Sequence, residues 1–303
     1  MSVNFGVLGV ELKGLGFNVT ESEKGLFAAF GKEGCLLRAG VDSVAGEIAY
    51  EAAKTLANKG DCVAICLTPK GNMGAKEILG NNSFTATGIF NIDQIPMIDG
   101  GPCRGASAKA QYASTARVFV VLHGFTAHGA QPHLGINAVD AAALAMNAIN
   151  AIKTPYYVNR TVQILSIDAG GSSINMIPDR VSMVVSIATI SNEWLEILID
   201  KIKNAIECSA KSIKATAEFE IKLGQKAPDY SNSSAVTALE AGITSAFRDI
   251  APVAVSAKGS DQQEIASIFG CSSACLVIED EKYKTASINA LVTAANVLKG
   301  VKI

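Results

Sequence analysis

Two histidines in one loop-like segment are the residues whose types and spacing could do chemistry. His128 and His133 lie in the stretch "FTAHGAQPHLGINAVDAA", and the chain holds only one other histidine, His123, just before it. An imidazole can exchange protons near neutral pH, stabilise a developing oxyanion or bind a metal ion. His123 ends the apolar run "TARVFVVLH", which favours a structural role, whereas His133 follows Pro132 and would organise the loop by hydrogen bonding.

The segments before this loop predict an α/β layer. The runs "CLLRAGV" and "DCVAICLTP" are typical of buried strands, and "AGEIAYEAAKTLAN" between them has helical spacing and a glycine stop at Lys59-Gly60. The stretch "NMGAKEILG" predicts a further short helix. Alternation of strands and helices indicates a doubly wound mixed sheet.

The pattern changes from about residue 115, where strand, helix, strand, strand, helix and strand follow one another. This order is that of the ferredoxin-like split motif. Asn192 is a candidate N-cap for the amphipathic helix "NEWLEILIDKIKNAIECSAK". We therefore predict an inserted α+β domain over 115–226 and a larger α/β domain formed by 1–114 and 227–303.

Composition limits the classes of partner and the compartment. The 303 residues are 49% hydrophobic with a net charge of -2, which argues against disorder and against binding to nucleic acid or anionic membranes. No apolar run reaches the roughly 18 residues of a membrane span, and the start of the sequence lacks a secretion signal. The seven cysteines, several of them in apolar runs, predict reduced thiols and a cytoplasmic protein.

Two segments resemble the lid-domain signature of the zinc-dependent aminoacylase, carboxypeptidase and amidohydrolase family, of the peptidase family M20 type. They are "GFTAHGAQPHLGINAVDAA" and "AGGSSINMIPDRV", and "LLRAGVDSV", "CLTPKGNMGAKEILG" and "KGSDQQEIA" are weaker matches along the chain. The resemblance implies a catalytic-type α/β domain with an inserted lid. It also implies a homodimer, paired through the lid helix after the histidine loop and the neighbouring edge strand.

The family's zinc ligands are missing from this shortened and divergent sequence. Of the His, Asp, Glu and late His that hold two zinc ions in the family, only Asp42 could remain. Gly71 and Asn72 replace an adjacent glutamate pair, with Lys70 beside them, and Ala188 stands where the family has an arginine. One carboxylate cannot hold a zinc pair, so we expect no metal and no other cofactor.

The resemblance also implies roles for particular residues. His128 would supply an oxyanion donor or an acid, reaching the partner subunit's site, although a fold-retaining turn role stays open. The substrate-binding candidates are Ser173, Asn175 and His133. Independently of the resemblance, Asp42, Lys70 and Asp261 are candidate acid-base groups for an enzyme that works without metal.

Three functions are compatible with this sequence. The first is a dimeric pseudoenzyme that has lost metal-dependent amide hydrolysis and binds a small amino-acid-derived ligand. The second is a metal-independent enzyme that reuses the cleft on an amino-acid-derived or acylated substrate, with His128 and the three acid-base groups. The third is an atypical metallo-amidohydrolase, which would need Asp42, Asp261, Glu264 or cysteines to converge.

Overall fold

A computed structural model describes residues 5–41, 43–69, 76–79, 83–94, 106–169, 173, 175–230, 233–247, 254–255, 262–278 and 281–300. The chain divides into two compact units, Met1–Tyr112 with Pro228–Ile303, and Ala113–Ala227. The second unit is called the lid unit below. Among the described helices, none combines the length and the apolar character that crossing a bilayer requires.

A seven-stranded mixed sheet forms the centre of the first unit. Its strands are β1 (Asn18–Ser22), β2 (Gly25–Phe30), β3 (Glu33–Gly40), β4 (Val63–Thr68), β5 (Thr85–Gln94), β6 (Ala106–Ser107) and β13 (Ser273–Ile278), in the spatial order β1-β2-β4-β3-β5-β13-β6. The four central strands β4, β3, β5 and β13 run parallel, and the strands outside them are antiparallel to their neighbours. A separate parallel pair joins β7 (Ala110–Gln111) to β12 (Ala254–Val255).

Helices cover both faces of this sheet. They are α1 (Phe5–Gly14), α2 (Val44–Asn58), α3 (Lys76–Leu79), α6 (Ser234–Ala246), α7 (Gln262–Phe269) and α8 (Lys284–Leu298), with a 3-10 turn at Glu281–Tyr283 before α8. On one face, Leu37 and Phe90 share a core with residues of α2, α6 and α8. On the other face, Leu36 and Ile89 pack with Ile265 of α7. Alternate strand residues therefore enter opposite cores, which confirms the predicted doubly wound sheet.

Helix α2 shows how local sequence sets these elements. Its buried positions recur at helical spacing, and the hydroxyl of Ser43 accepts a hydrogen bond from the backbone N–H of Gly46. The helix ends at Lys59, where Gly60 takes a φ of 80° that favours glycine.

The lid unit is a four-stranded antiparallel sheet with two helices. Its elements are β8 (Ser114–His123), a 3-10 turn (Pro132–Leu134), α4 (Ala138–Ala151), β9 (Arg160–Asp168), β10 (Arg180–Thr189), α5 (Asn192–Ser212) and β11 (Thr216–Leu223). The strand order is β11-β8-β10-β9, so β11 and β9 form the two edges. Alternate residues of β8 and β10, such as Val118 and Val185, are buried in one core with α4 and α5.

The prediction that Asn192 caps α5 is wrong by one residue. The cap is Ser191, whose hydroxyl accepts from the backbone N–H of Trp194 at 3.2 Å. The Asn192 side chain is held elsewhere, because its Oδ1 accepts from the hydroxyl of Ser114 at 2.5 Å and its Nδ2 donates to the carbonyl of Ala227. It thereby ties together the points where the chain enters and leaves the lid unit.

Candidate functional site

The loop that carries His128 is fixed to the segment that carries Asn175 by backbone hydrogen bonds. Gly129 N–H donates to the carbonyl of Asn175 at 2.7 Å, and Ile177 N–H donates to the carbonyl of Ala127 at 2.8 Å. His128 thereby forms an isolated antiparallel bridge with Met176. The two segments that resemble the family signature are therefore adjacent in space.

The base of the loop is closed by a second bridge. Phe125 and Ile136 exchange backbone hydrogen bonds, each at 2.8 Å. A Cβ at Gly124 would collide with the carbonyl oxygen of Ile136, so only glycine permits this approach. Asn137 then caps α4 by accepting from the backbone N–H of Val139. The loop is thus a defined structure leading into the helix.

The side chain of His128 is exposed, and its Nδ1 accepts a hydrogen bond from the backbone N–H of Ala130 at 3.2 Å. A neutral imidazole that accepts at Nδ1 carries its proton on Nε2. His128 therefore presents an N–H donor. Ser173, Asn175 and His133 are also exposed, and His133 lies in the 3-10 turn of the same loop.

His123 has a different environment at the end of β8. Its Nε2 lies 3.4 Å from Oε2 of Glu218 on the neighbouring edge strand β11. This cross-strand contact agrees with the structural role expected for His123.

The loop region also exposes apolar side chains. Phe125 is 62% exposed, Leu134 58% and Met176 37%. Large apolar side chains exposed beside a polar donor are typical of a surface that contacts a ligand or a partner.

A buried polar network crosses the central strands of the first unit. Arg38 on β3 is fully buried, and its Nη1 donates to Oδ1 of Asn91 on β5 at 3.0 Å. The Asn91 amide in turn donates to the carbonyl of Ala274 on β13 at 3.3 Å. Three adjacent parallel strands are therefore joined by side-chain hydrogen bonds as well as by the sheet.

A second group of buried polar contacts surrounds Tyr112, with partners on the same strands β5 and β13. The Tyr112 hydroxyl donates to Oδ2 of Asp93 at 2.8 Å and lies 3.3 Å from Sγ of Cys275. Burial, together with the neighbouring Cys275 and Asp93, raises the pKa of Tyr112 well above its usual range. Burial likewise raises the pKa of Cys275, so this residue stays a neutral thiol.

Sequence reasoning missed both groups of buried contacts. Asn91 and Asp93 occupy alternate positions in the apolar run "GIFNIDQ", and Arg38 interrupts the apolar run "CLLRAG". These polar residues inside apolar runs were the sequence signal for buried polar contacts. Asp42, Lys70 and Asp261 lie outside the described residues, and their predicted acid-base roles stay predictions.

The donor set does not fit the zinc pair that the resemblance implies. All three histidines fall within the lid unit, so the first unit contains no imidazole. Among the residues that the structure describes, no three His, Cys, Asp or Glu side chains are grouped closely enough to share a metal ion. Burial raises the pKa of Cys35 to about 12, although the charge of Lys299 acts in the opposite direction. The raised pKa disfavours the thiolate that zinc requires.

The lid unit is similar to a known domain family, and the whole chain is similar in fold to solved peptidase structures. Residues 113–214 match the family model of the peptidase dimerisation domain. Aminopeptidase PepT from Bacillus cereus is similar over 97% of this chain and 92% of its own, with 16% identity and a TM-score of 0.75. The YXEP protein of Bacillus subtilis, described as a dinuclear metal-binding peptidase of the M20 family, covers the same shares with 17% identity and a TM-score of 0.75.

Curated relatives match over shorter segments. "Uncharacterized hydrolase y4tI" of Sinorhizobium fredii is 28% identical over 125 residues, which are 41% of this chain and 31% of that protein. YqjE of Bacillus subtilis is 26% identical over 152 residues, or 50% of this chain and 40% of that protein. The matches thus span less than half of these relatives' own length.

The fold and the matched segment define an α/β protein with an inserted peptidase dimerisation domain. Residues 113–214 are a peptidase dimerisation domain, and the chain as a whole has the fold of the similar peptidase structures.

Proposed function

We propose that this chain is a dimeric, non-hydrolytic member of the M20-type family that binds a small amino-acid-derived ligand. The observation that carries the proposal is the distribution of histidines, which are confined to the lid unit. A catalytic zinc site combines imidazole nitrogens and carboxylate oxygens with one open position for water. The chain shares the fold of the peptidase structures compared above, and its first unit contains no histidine that could contribute to such a site.

The ligand class follows from the groups that the lid loop offers. His128 presents an Nε2–H donor, and Asn175 lies on the segment bridged to it. An N-acylated amino acid carries carbonyl and carboxylate oxygens that accept such hydrogen bonds. Its apolar side chain would find exposed partners in Phe125 and Met176.

A homodimer is supported by the open edge of the lid sheet. Edge strand β9 exposes Leu165 and Ile167, and helix α4 exposes Val139 and Leu144. An edge strand of this kind pairs readily with a second copy, which would also cover the apolar side chains. The six described cysteines are free thiols, which supports a reducing compartment, namely the cytoplasm.

The hydrogen bond at Nδ1 of His128 favours one alternative function. An Nε2–H donor suits the stabilisation of an oxyanion, so His128 could serve a metal-independent enzyme acting on an acylated substrate. Asp42, Lys70 and Asp261 would then supply acid and base. Such activity would resist chelators and disappear in His128→Ala.

Elemental analysis combined with binding and turnover measurements tests the proposal. Purified protein should hold substoichiometric zinc and manganese, and it should not hydrolyse N-acetyl-L-amino acids with either metal added. Titration calorimetry with N-acetyl-L-methionine should show saturable binding, and light scattering should give the mass of a dimer. Two bound metal ions with chelator-sensitive hydrolysis would establish the atypical metalloenzyme instead.

A further inference from the structure

A cavity of about 190 Å³ lies in the first unit beside helix α2. Its apolar lining comes from Leu8 of α1, Val41 after β3 and Leu67 of β4. At roughly 30 Å³ per water molecule, this volume suits an organic molecule of a few non-hydrogen atoms. The cavity is therefore large enough for a small ligand and too small for a peptide.

Most polar groups of the cavity already have partners. The ammonium of Lys284 lies 2.5 Å from Oε2 of Glu47, and the hydroxyl of Tyr50 donates to Oε2 of Glu11 at 2.6 Å. Glu51, one helical turn after Glu47, also lines the cavity. Within the described part of the chain, the Glu51 carboxylate has neither an ion pair nor a hydrogen bond.

The charges around the cavity favour a cation. Among the described residues, three carboxylates, those of Glu11, Glu47 and Glu51, line the cavity or contact its lining. Two ammonium groups do so by the same criterion: Lys284 lines the cavity, and Nζ of Lys54 lies 6.0 Å from the centroid of the Tyr50 ring. Burial raises the pKa of Tyr50 above its usual range, and the hydrogen bond to Glu11 and the charges of Glu11 and Glu51 add to that rise. The Glu11 and Glu51 carboxylates thus act on the phenol in the same direction as burial, which is the largest cause of the rise.

We propose that this cavity binds a small aliphatic primary amine. The alkyl chain contacts Leu8, Val41 and Leu67, and the ammonium pairs with Glu51. A ligand with a carboxylate of its own is disfavoured, because the Lys284 ammonium is already paired with Glu47. The site uses none of the lid residues, so it stands apart from the function proposed above.

The test uses n-butylamine hydrochloride as the probe, with sodium butyrate as an anion of similar size. Saturation-transfer NMR titrations of the full chain near pH 7.5 should give saturable binding of butylammonium and at least tenfold weaker binding of butyrate. Glu51→Gln should weaken butylammonium binding about fivefold, the value for a partly exposed ion pair of about 1 kcal/mol. Glu23→Gln, at an exposed position between β1 and β2, is the matched control and should leave binding unchanged.

A second variant separates loss of the cavity from loss of the charge. Leu8→Trp should fill the apolar lining and abolish binding while the Glu51 carboxylate remains, and thermal melting verifies that each variant is folded. Equal binding of butylammonium and butyrate would overturn the proposal. So would unchanged affinity in Glu51→Gln or no saturable binding to the wild-type chain. None of these outcomes bears on the metal content or on the lid loop.

Discussion

The backbone N–H of Gly129 donates to the carbonyl oxygen of Asn175 at 2.7 Å and joins two distant segments of the lid unit. Ile177 and Ala127 add a second bond of the same ladder at 2.8 Å. Because both bonds use only the main chain, they position His128 without depending on its side chain. The imidazole is consequently presented on a preorganised loop, with its Nδ1 accepting from the backbone N–H of Ala130.

Replacing His128 should therefore separate binding from stability. His128→Ala removes an exposed side chain, so the free energy of unfolding should change by no more than about 0.5 kcal/mol. Binding of N-acetyl-L-methionine, measured by calorimetry, should weaken about tenfold because the Nε2–H donor is lost. His128→Asn, whose amide can both accept and donate, should recover part of the affinity. Full affinity in the alanine variant would remove His128 from the site.

The open edge β9 gives a prediction for assembly. Leu165→Asp places a charge on the edge strand that is expected to pair across the dimer, so light scattering should report a monomer at micromolar concentration. Leu223→Asp is the matched control, since Leu223 is 65% exposed on the opposite edge strand β11. A dimer that survives Leu165→Asp and dissociates in Leu223→Asp would move the interface to β11.

Asn91 should contribute strongly to the stability of the first unit. Asn91→Ala deprives the buried guanidinium of Arg38 of a charge-assisted hydrogen bond, and the free energy of unfolding should fall by about 2 to 4 kcal/mol. Urea unfolding followed by circular dichroism measures the loss. Asn58→Ala, at the exposed end of α2, should cost less than about 1 kcal/mol. Equal effects at the two positions would show that the Arg38 bond is not stabilising.

The hydroxyl of Tyr112 should contribute less than the amide of Asn91. Tyr112→Phe keeps the buried ring and removes the donor to Asp93, so the expected loss is about 1 to 2 kcal/mol. Tyr157→Phe on the lid surface is the control and should have no measurable effect. A Tyr112→Phe variant as stable as the wild type would show that the hydrogen bond from Tyr112 to Asp93 does not contribute to the free energy of unfolding.

Alkaline pH should destabilise the fold through its buried thiols. The pKa of Cys35 is raised from 9.0 to about 12 by burial, so the native state holds this proton more tightly than the unfolded chain. The protonated Cys35 thiol therefore makes its full contribution to the free energy of unfolding below pH 9. This contribution is lost progressively as the pH rises from 9 towards 12, at up to about 1.4 kcal/mol per pH unit.

Urea unfolding at pH 8, 9.5 and 10.5 measures this dependence. Cys35→Ala should show a shallower decline of stability with pH than the wild type, whatever its absolute stability. Cys208→Ala, which changes an exposed thiol, should keep the wild-type slope. Parallel slopes for all three proteins would show that ionisation of Cys35 is not linked to folding.

Several elements could be predicted because their signals are local. Helical spacing, the stop at Gly60 and β-branched runs indicated α2, β8 and β10 close to their observed bounds. The strand Thr85–Gln94 was not predicted, although it lies in the middle of the sheet. Its glycine, asparagine and aspartate weaken the apolar pattern, and their partners lie on other strands. The cap of α5 was misplaced because Asn192 serves a distant contact with Ser114.

The sequence by itself determined which donor atoms this protein possesses and which segment holds its imidazoles, since composition and position need no coordinates. It also determined the order of strands and helices in the lid unit, because periodicity is local in the chain. Only the tertiary structure decided that Gly129 meets Asn175 and that Arg38, Asn91 and Cys275 line up across three strands. Those pairings depend on strand order and register, which arise from packing between segments far apart in the chain.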